Sequence, residues 1–165
     1  MGGGILPVAV YKRQVYFLFG KEHRFSNNPG WSDFGGGREN QESYLTTAIR
    51  EGTEEINGFL GTQNQVKQMV KDNQLAILEC RGYRTYVFQM DYDPNLPFYF
   101  NNNYKLMEKN LPEVARAHNG MFEKSEIRWV SSKDLDELPF REFYKKTIVA
   151  ELMKQLPAIK RKALA

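Results

Sequence analysis

Gly35-Gly36-Gly37-Arg38-Glu39-Asn40-Gln41-Glu42, then seven residues, then Arg50-Glu51-Gly52-Thr53-Glu54-Glu55-Ile56-Asn57-Gly58 is the stretch on which the reading of this chain turns. Between the two quoted runs, Leu45, Ala48, Ile49, Gly52 and Ile56 fall at i, i+3, i+4, i+7 and i+11. That spacing predicts one helix from Ser43 to about Ile56 with a single narrow apolar stripe. Asn57-Gly58 supplies a left-handed stop. Upstream, Trp31 to Phe34 reads as a short strand, stopped by the three glycines.

The helix carries its carboxylates in an unfavourable place. Glu51 is four residues from Glu55 and three from Glu54, so all three share one surface. Like charges at that spacing cost a helix a few tenths of a kcal/mol. They also crowd the C-terminal end, where the dipole disfavours negative charge. A solvated acidic face with an Arg50–Glu54 pair would be the ordinary explanation. A divalent cation is the other: it relieves the repulsion, and hard oxygen ligands suit Mg²⁺ or Mn²⁺.

The flanking residues favour the cation. The segment resembles the signature of the Nudix hydrolases, the MutT family: Gly, five residues, Glu, seven residues, Arg-Glu, an aliphatic, any residue, Glu-Glu, any residue, Gly, an aliphatic. Gly36, Glu42, Arg50, Glu51, Glu54 and Glu55 stand on the required positions. Gly52, Asn57 and Gly58 depart from the pattern, and none of these departures removes a charged group. The resemblance implies an α/β Nudix fold, a mixed β-sheet sandwiched between helices. It implies hydrolysis of a diphosphate linkage in a nucleoside diphosphate joined to another group. Glu54 and Glu55 would bind metal, Glu51 would do so directly or through water, and a carbonyl at the loop start, that of Gly35, would add a ligand. Gly36 and Glu42 would be structural, with Arg50 paired to Glu42 to fix the loop against the helix. The base that accepts the proton of the attacking water comes, in the family, from the helix or from a downstream loop. Glu54 is the favoured candidate here, and Glu123 and Glu126, just before a strand carrying Trp129, are the loop candidates. The wording of the motif also faintly resembles Nudix proteins of large DNA viruses.

Outward from the motif, Ile5–Tyr11 and Gln14–Phe19 predict an antiparallel hairpin about Lys12-Arg13. A second helix is expected over Asn64–Lys71, and strands over Leu75–Cys80, Thr85–Met90 and Ile127–Val130. A last helix is expected from Phe140-Arg141 to Leu156, with an apolar stripe at Phe143, Ile148, Leu152 and Leu156. Residues 91–119 are rich in asparagine, aromatics and proline. A structureless loop of that length is unexpected unless functional or partly helical, and the segment is read as one that caps or lines the leaving-group pocket or forms a dimer contact, with Phe98, Tyr99, Phe100 or Tyr104 offering a stacking face. Phe17, Tyr83 and Tyr86 are further stacking candidates.

Composition bounds the rest. The chain has 165 residues, 41% hydrophobic and 26% charged, so residues 1–165 are read as one globular domain. A net charge of +3 is too balanced to mark a nucleic-acid binder, and Lys154, Lys160, Arg161 and Lys162 read as a solvated helix end. No apolar run approaches the roughly 20 residues of a membrane span, and the N-terminus lacks the features of a signal peptide. The single cysteine, Cys80, excludes an intrachain disulfide, and a cytoplasmic setting is expected. His23 and His118 are given no role. The expected partner is a small nucleotide-type substrate, with nucleic acid only as a capped RNA, on a monomer or homodimer. Diphosphoinositol polyphosphate or mRNA-cap hydrolysis, and an inactive Nudix-fold binding module, stay open as alternatives.

Overall fold

A computed structural model describes residues 1–117 and 119–165; His118 lies outside the described residues. The hairpin forms as its sequence implies. β1 (Gly2–Tyr11) and β2 (Gln14–Glu22) pair antiparallel around Lys12 and Arg13, both with positive φ, which is the two-residue turn that matches strand twist. β3 (Trp31–Ser32) and β4 (Phe34–Gly37) follow, then α1 (Tyr44–Glu55) and α2 (Gln63–Asp72). Ser43 caps α1 by accepting from the Thr46 N–H, and Thr62 and Gln65 form a reciprocal capping box on α2. β5 (Gln74–Cys80) and β6 (Tyr83–Gln89) make a second hairpin.

The sheet is mixed, and β1 organises it. One edge of β1 pairs parallel with β6 along Gly2–Val8. The other edge is divided: Gly2–Ile5 pair with β4 and Val8–Tyr11 with β2. β7 (Lys124–Ser131) closes the β2 side. Successive side chains leave on opposite faces, so each strand feeds two cores. On one face Leu6, Val8, Phe17 and Phe19 pack with Ile148, Leu152 and Ile159 of α6 (Ile148–Leu164). On the other, Ile5, Ala9, Leu18 and Phe34 pack against α1 and α2 through Ala48, Ile49, Val66 and Val70. The result is the expected α/β/α sandwich.

Three expectations change. The glycines at 35–37 do not end a strand; they are one, antiparallel to Gly2–Gly4. Two glycine triplets meet because the backbones and α1 come too close for side chains. A Cβ on Gly3 would lie 2.9 Å from the Tyr44 carbonyl oxygen, and one on Gly2 2.5 Å from that of Gly36. Second, the described part of residues 91–119 is largely helical and not irregular. It holds α3 (Asn95–Asn110) and the short α4 (Pro112–Ala115). α3 buries Leu96, Phe100 and Tyr104 and leaves Phe98 and Tyr99 exposed. Asparagine in a helix interior is unusual, but Asn101 pairs with the Ile127 backbone, donating to its carbonyl at 3.1 Å and accepting from its N–H at 2.8 Å. Its amide thus serves as the next strand for the edge of β7. Third, the last helix is broken at Thr147 into α5 (Glu142–Lys146) and α6, which runs on through Pro157 to Leu164. The break takes Phe143 out of the apolar stripe and leaves it 53% exposed.

Candidate active site

α1 is pressed onto the sheet by its glycine. A Cβ on Gly52 would stand 2.5 Å from Ile5 Cγ1, so the residue that departs from the aliphatic position is the one that lets the helix settle on β1. This brings the carboxylates to the glycine strand. A Cβ on Gly36 would collide with the Glu51 carboxyl at 2.5 Å. Any other residue at 36 would fill the place that carboxylate takes. Glu55 is 2% exposed and accepts the Gly35 N–H at 2.9 Å.

Arg50 ties the loop to the helix. Its Nε and Nη2 donate to the two oxygens of Glu42 at 2.8 and 3.0 Å, Nη2 also reaches the Gly37 carbonyl at 3.0 Å, and Nη1 donates to Glu51 at 2.8 Å. This two-pronged clamp holds the Glu42 carboxyl down at about 2. Glu54 lies 3.7 Å from the same guanidinium.

The downstream loop completes the cluster, and Asn57 anchors it. With φ at 54°, Asn57 stands where the motif has glycine, and its side-chain oxygen accepts the Phe122 N–H at 2.9 Å. The loop then folds over Glu54: a Cβ on Gly120 would lie 2.5 Å from Glu54 Oε2, and the Gly120 N–H points to Glu123 at 3.2 Å. Burial raises the carboxyls of Glu51 and Glu54, and that of Glu55 well above the ordinary range; the charge of Glu123 pushes all three the same way. Glu126 sits in β7 opposite Lys21 and is ion-paired with Arg128 at 2.9 Å. The structure therefore gathers Gly35, Gly36, Glu42, Arg50, Glu51, Glu54, Glu55 and Glu123 around one place and directs Glu126 elsewhere.

Several participants carry no signal in the local sequence. Lys124 is fully buried, with Nζ 2.8 Å from Glu22, 3.0 Å from Ser32 Oγ and 3.6 Å from Glu55. Burial alone would lower its pKa, but Glu55 and Glu22 together raise it. Arg141 reaches the same Glu22 oxygen at 3.0 Å. On the far side of the glycine strand, a cleft of about 520 Å³ is lined by Asp33, Gly36, Tyr83, Arg141, Phe143 and Tyr144 among others. Asp33 is 2% exposed and accepts from the Tyr83 hydroxyl at 2.9 Å and the Thr85 hydroxyl at 2.7 Å. Burial lifts its carboxyl to about 6. These residues lie apart in sequence, and each reads as an ordinary strand or loop position.

The oxygen donors Glu51, Glu54, Glu55 and Glu123, with the nearby Gly35 carbonyl, suit a hard divalent cation in kind and charge. In the geometry as it stands, no three His, Cys, Asp or Glu side chains among the described residues are close enough together to hold one. Arg50 and Lys124 balance the carboxylate charge instead.

No protein-family model matches the sequence, and no curated protein is similar to it. Solved structures are similar in fold. A Nudix hydrolase of M. smegmatis, RenU, superposes with a TM-score of 0.56 at 16% identity, over 97% of this chain and 84% of its own. The Ap4A hydrolase of C. elegans, in a binary complex, gives 0.57 at 14% identity, over 96% of both chains. A bifunctional NMN adenylyltransferase/ADP ribose pyrophosphatase of Francisella tularensis, complexed with AMP and a Mn ion, gives 0.50 at 15% identity, over 93% of this chain and 41% of its own. Among the described residues no helix is long and apolar enough to cross a membrane. Over nearly its whole length, the chain has the Nudix fold.

Proposed function

We propose that this protein is a divalent-metal-dependent pyrophosphohydrolase that cleaves a diphosphate linkage in a nucleotide or nucleotide derivative. The observation that carries the reading is that Gly36 of the glycine strand leaves room for the Glu51 carboxyl, while Gly120 of the downstream loop lies against Glu54 and points its N–H to Glu123. The similar structure of the bifunctional NMN adenylyltransferase/ADP ribose pyrophosphatase, complexed with AMP and a Mn ion, supports a metal and a nucleotide as ligands. Glu51, Glu54, Glu55 and the Gly35 carbonyl would hold Mg²⁺ or Mn²⁺, which when bound neutralises diphosphate charge and activates a water. Glu54 would accept the proton of the attacking water, with Glu123 of the downstream loop as the alternative acceptor. Arg50 and Glu42 hold the loop so that Gly35 and Gly36 face the helix. The cleft behind the glycine strand takes the nucleoside side of the substrate.

One observation favours a second reading, a binding module without turnover: Glu51 is bonded to Arg50, and Glu55 lies against Lys124. A single experiment separates the two. Nucleotide-linked diphosphates are incubated with Mg²⁺, with Mn²⁺ and with EDTA, and the phosphorylated products are resolved by ion exchange. Metal-dependent cleavage that Glu54→Gln abolishes is the expected result. Metal-independent binding with no product from any substrate would establish the module instead.

A further inference from the structure

The cleft behind the glycine strand has a floor built at some cost. Asp33 is a carboxylate nearly sealed from water, and a buried carboxylate is expensive unless its lone pairs are used. The chain makes room for it. A Cβ on Gly4 would lie 2.5 Å from Asp33 Oδ2 and 2.6 Å from the Tyr83 hydroxyl, and one on Gly35 would run into that same hydroxyl. Two glycines of the central strands thus keep open the space that the Asp33–Tyr83 pair fills. Each oxygen of Asp33 takes one hydroxyl hydrogen, from Tyr83 and from Thr85. A carboxylate offers about four acceptor positions, so two are left after those bonds.

A second group in the same wall lacks a partner among the described residues. Tyr144 is 2% exposed, lines the cleft, and its hydroxyl, though near Thr85, makes no hydrogen bond. An unpaired buried hydroxyl costs stability that a ligand acceptor would restore. Asp33 and Tyr144 both line this cleft. At the mouth, Tyr83 and Phe143 meet edge to face at 5.8 Å, and the exposed Phe143 offers aromatic surface to a flat ring. Gly36, in the same lining, packs against Glu51 on its other side. A ligand in the cleft would therefore lie next to the carboxylate cluster.

We propose that this cleft is a base-reading site with a guanine preference, in which Asp33 accepts from two adjacent N–H groups of the base and Tyr144 donates to the neighbouring carbonyl oxygen. Guanine presents a carbonyl, a ring N–H and an amino group side by side along one edge. Adenine presents an amino donor and a ring acceptor there, and that acceptor would face the carboxylate. Asp33 and Tyr144 are specificity-determining residues, and neither touches the scissile phosphates. The inference rests on the pyrophosphohydrolase reading for the placement of the diphosphate, and its own content is the choice of base.

The test is equilibrium binding by titration calorimetry, on the wild-type chain, of the non-hydrolysable α,β-methylene diphosphates of guanosine, inosine and adenosine. Inosine keeps the ring N–H and carbonyl and lacks the amino group. The guanosine analogue should bind at least about tenfold more tightly than the adenosine analogue, with inosine between. Asp33→Asn should erase that gap, and Tyr144→Phe should narrow it. Equal affinity for guanosine and adenosine overturns the proposal, as does equal affinity for guanosine and inosine, or a gap that survives Asp33→Asn. The wild-type series needs no variant to fold. Hydrolysis of guanosine and adenosine substrates with Mg²⁺, run in parallel, separates the two readings. Cleavage without base preference sinks this inference alone, and a binding gap without cleavage sinks the hydrolase reading alone.

Discussion

Arg50→Lys keeps the positive charge at the centre of the candidate site and removes the planar fork. Arginine makes four bonds there: two to Glu42, one to the Gly37 carbonyl and one to Glu51. A lysine ammonium is a point donor and cannot span both Glu42 oxygens and Gly37 together. Two or three bonds are therefore lost. Bonds to charged groups contribute about 1.5–3 kcal/mol when shielded from water, whereas solvent-reached pairs contribute about 0.2–1. The side chains of Arg50 and Glu42 are 14% and 16% exposed, between those limits, so the loss should be about 2 kcal/mol. For a chain of this size that is a fall of about 4–8 °C in melting temperature. Turnover should fall further, because a loop displaced by about 1 Å costs on the order of 100-fold. A second readout is specific to the clamp. Glu42 is held at about 2 against an ordinary 4.5. Its folded-state value is depressed, so its stabilisation is complete above 4.5 and disappears as pH falls toward 2. In Arg50→Lys the Glu42 carboxyl should titrate back up toward 4.5, which carboxyl carbon NMR follows directly. Wild-type turnover in a variant whose Glu42 still titrates near 2 would refute the clamp.

Glu54→Gln should cut metal-dependent turnover by orders of magnitude and leave the metal-free melting temperature unchanged or slightly raised. Burial and its acidic neighbours already disfavour the Glu54 charge, so a marked drop in calorimetric stability with activity intact would assign it a structural role. Gly52→Ala gains about 1 kcal/mol of helix propensity but sets a Cβ 2.5 Å from Ile5 Cγ1, an overpacking that costs about 1–3 kcal/mol. The net effect on urea unfolding should be a loss, and a gain would mean that α1 does not lie on β1 at this distance. Asp33 gives a pH signature of opposite sign to Glu42. Its carboxyl is raised from 3.8 to about 6, so the folded state favours the protonated form and stability should fall as pH rises through that interval, by about 2–3 kcal/mol. Denaturant melts at about pH 4, near the foot of that interval, and about pH 7, above it, should show the decline in the wild type and a smaller one in Asp33→Asn, where the raised carboxyls of Glu51, Glu54 and Glu55 still contribute.

The parts of the site that lie on one helix are legible in the sequence. Spacings of three and four residues decide which of Glu51, Glu54 and Glu55 share a face, and that follows from helix geometry alone. The Arg50–Glu42 pair is legible too, through the motif. The parts brought together by strand pairing are not. Lys124 and Glu22 lie 102 residues apart, and only the β2–β7 ladder makes them neighbours. The roles of Asp33, Tyr83 and Thr85 depend in the same way on β4, β1 and β6 lying side by side. Glu123 and Glu126 cannot be told apart by their distance to Trp129; Asn57, by holding the Phe122 N–H, turns one of them toward the helix.

Local pattern misleads where a residue type has two physical uses. Three glycines in a row commonly mark a turn, but Gly2–Gly4 pair with Gly35–Gly37 and make them a close-packed ladder. Asparagines in 95–110 argue against a helix, yet Pro97 lies in the first turn, where its missing N–H costs no helical bond, and the pairing of Asn101 with the edge of β7 outweighs asparagine propensities of less than about 1 kcal/mol each. The helix of carboxylates, its caps and the hairpins are written in the order of the residues, because each depends on positions within a few of one another. Which loop glutamate joins that helix, which cation balances Glu55 and what floors the cleft are settled only in the folded chain. Those outcomes depend on strand order and close backbone approach, which arise only when distant segments pack.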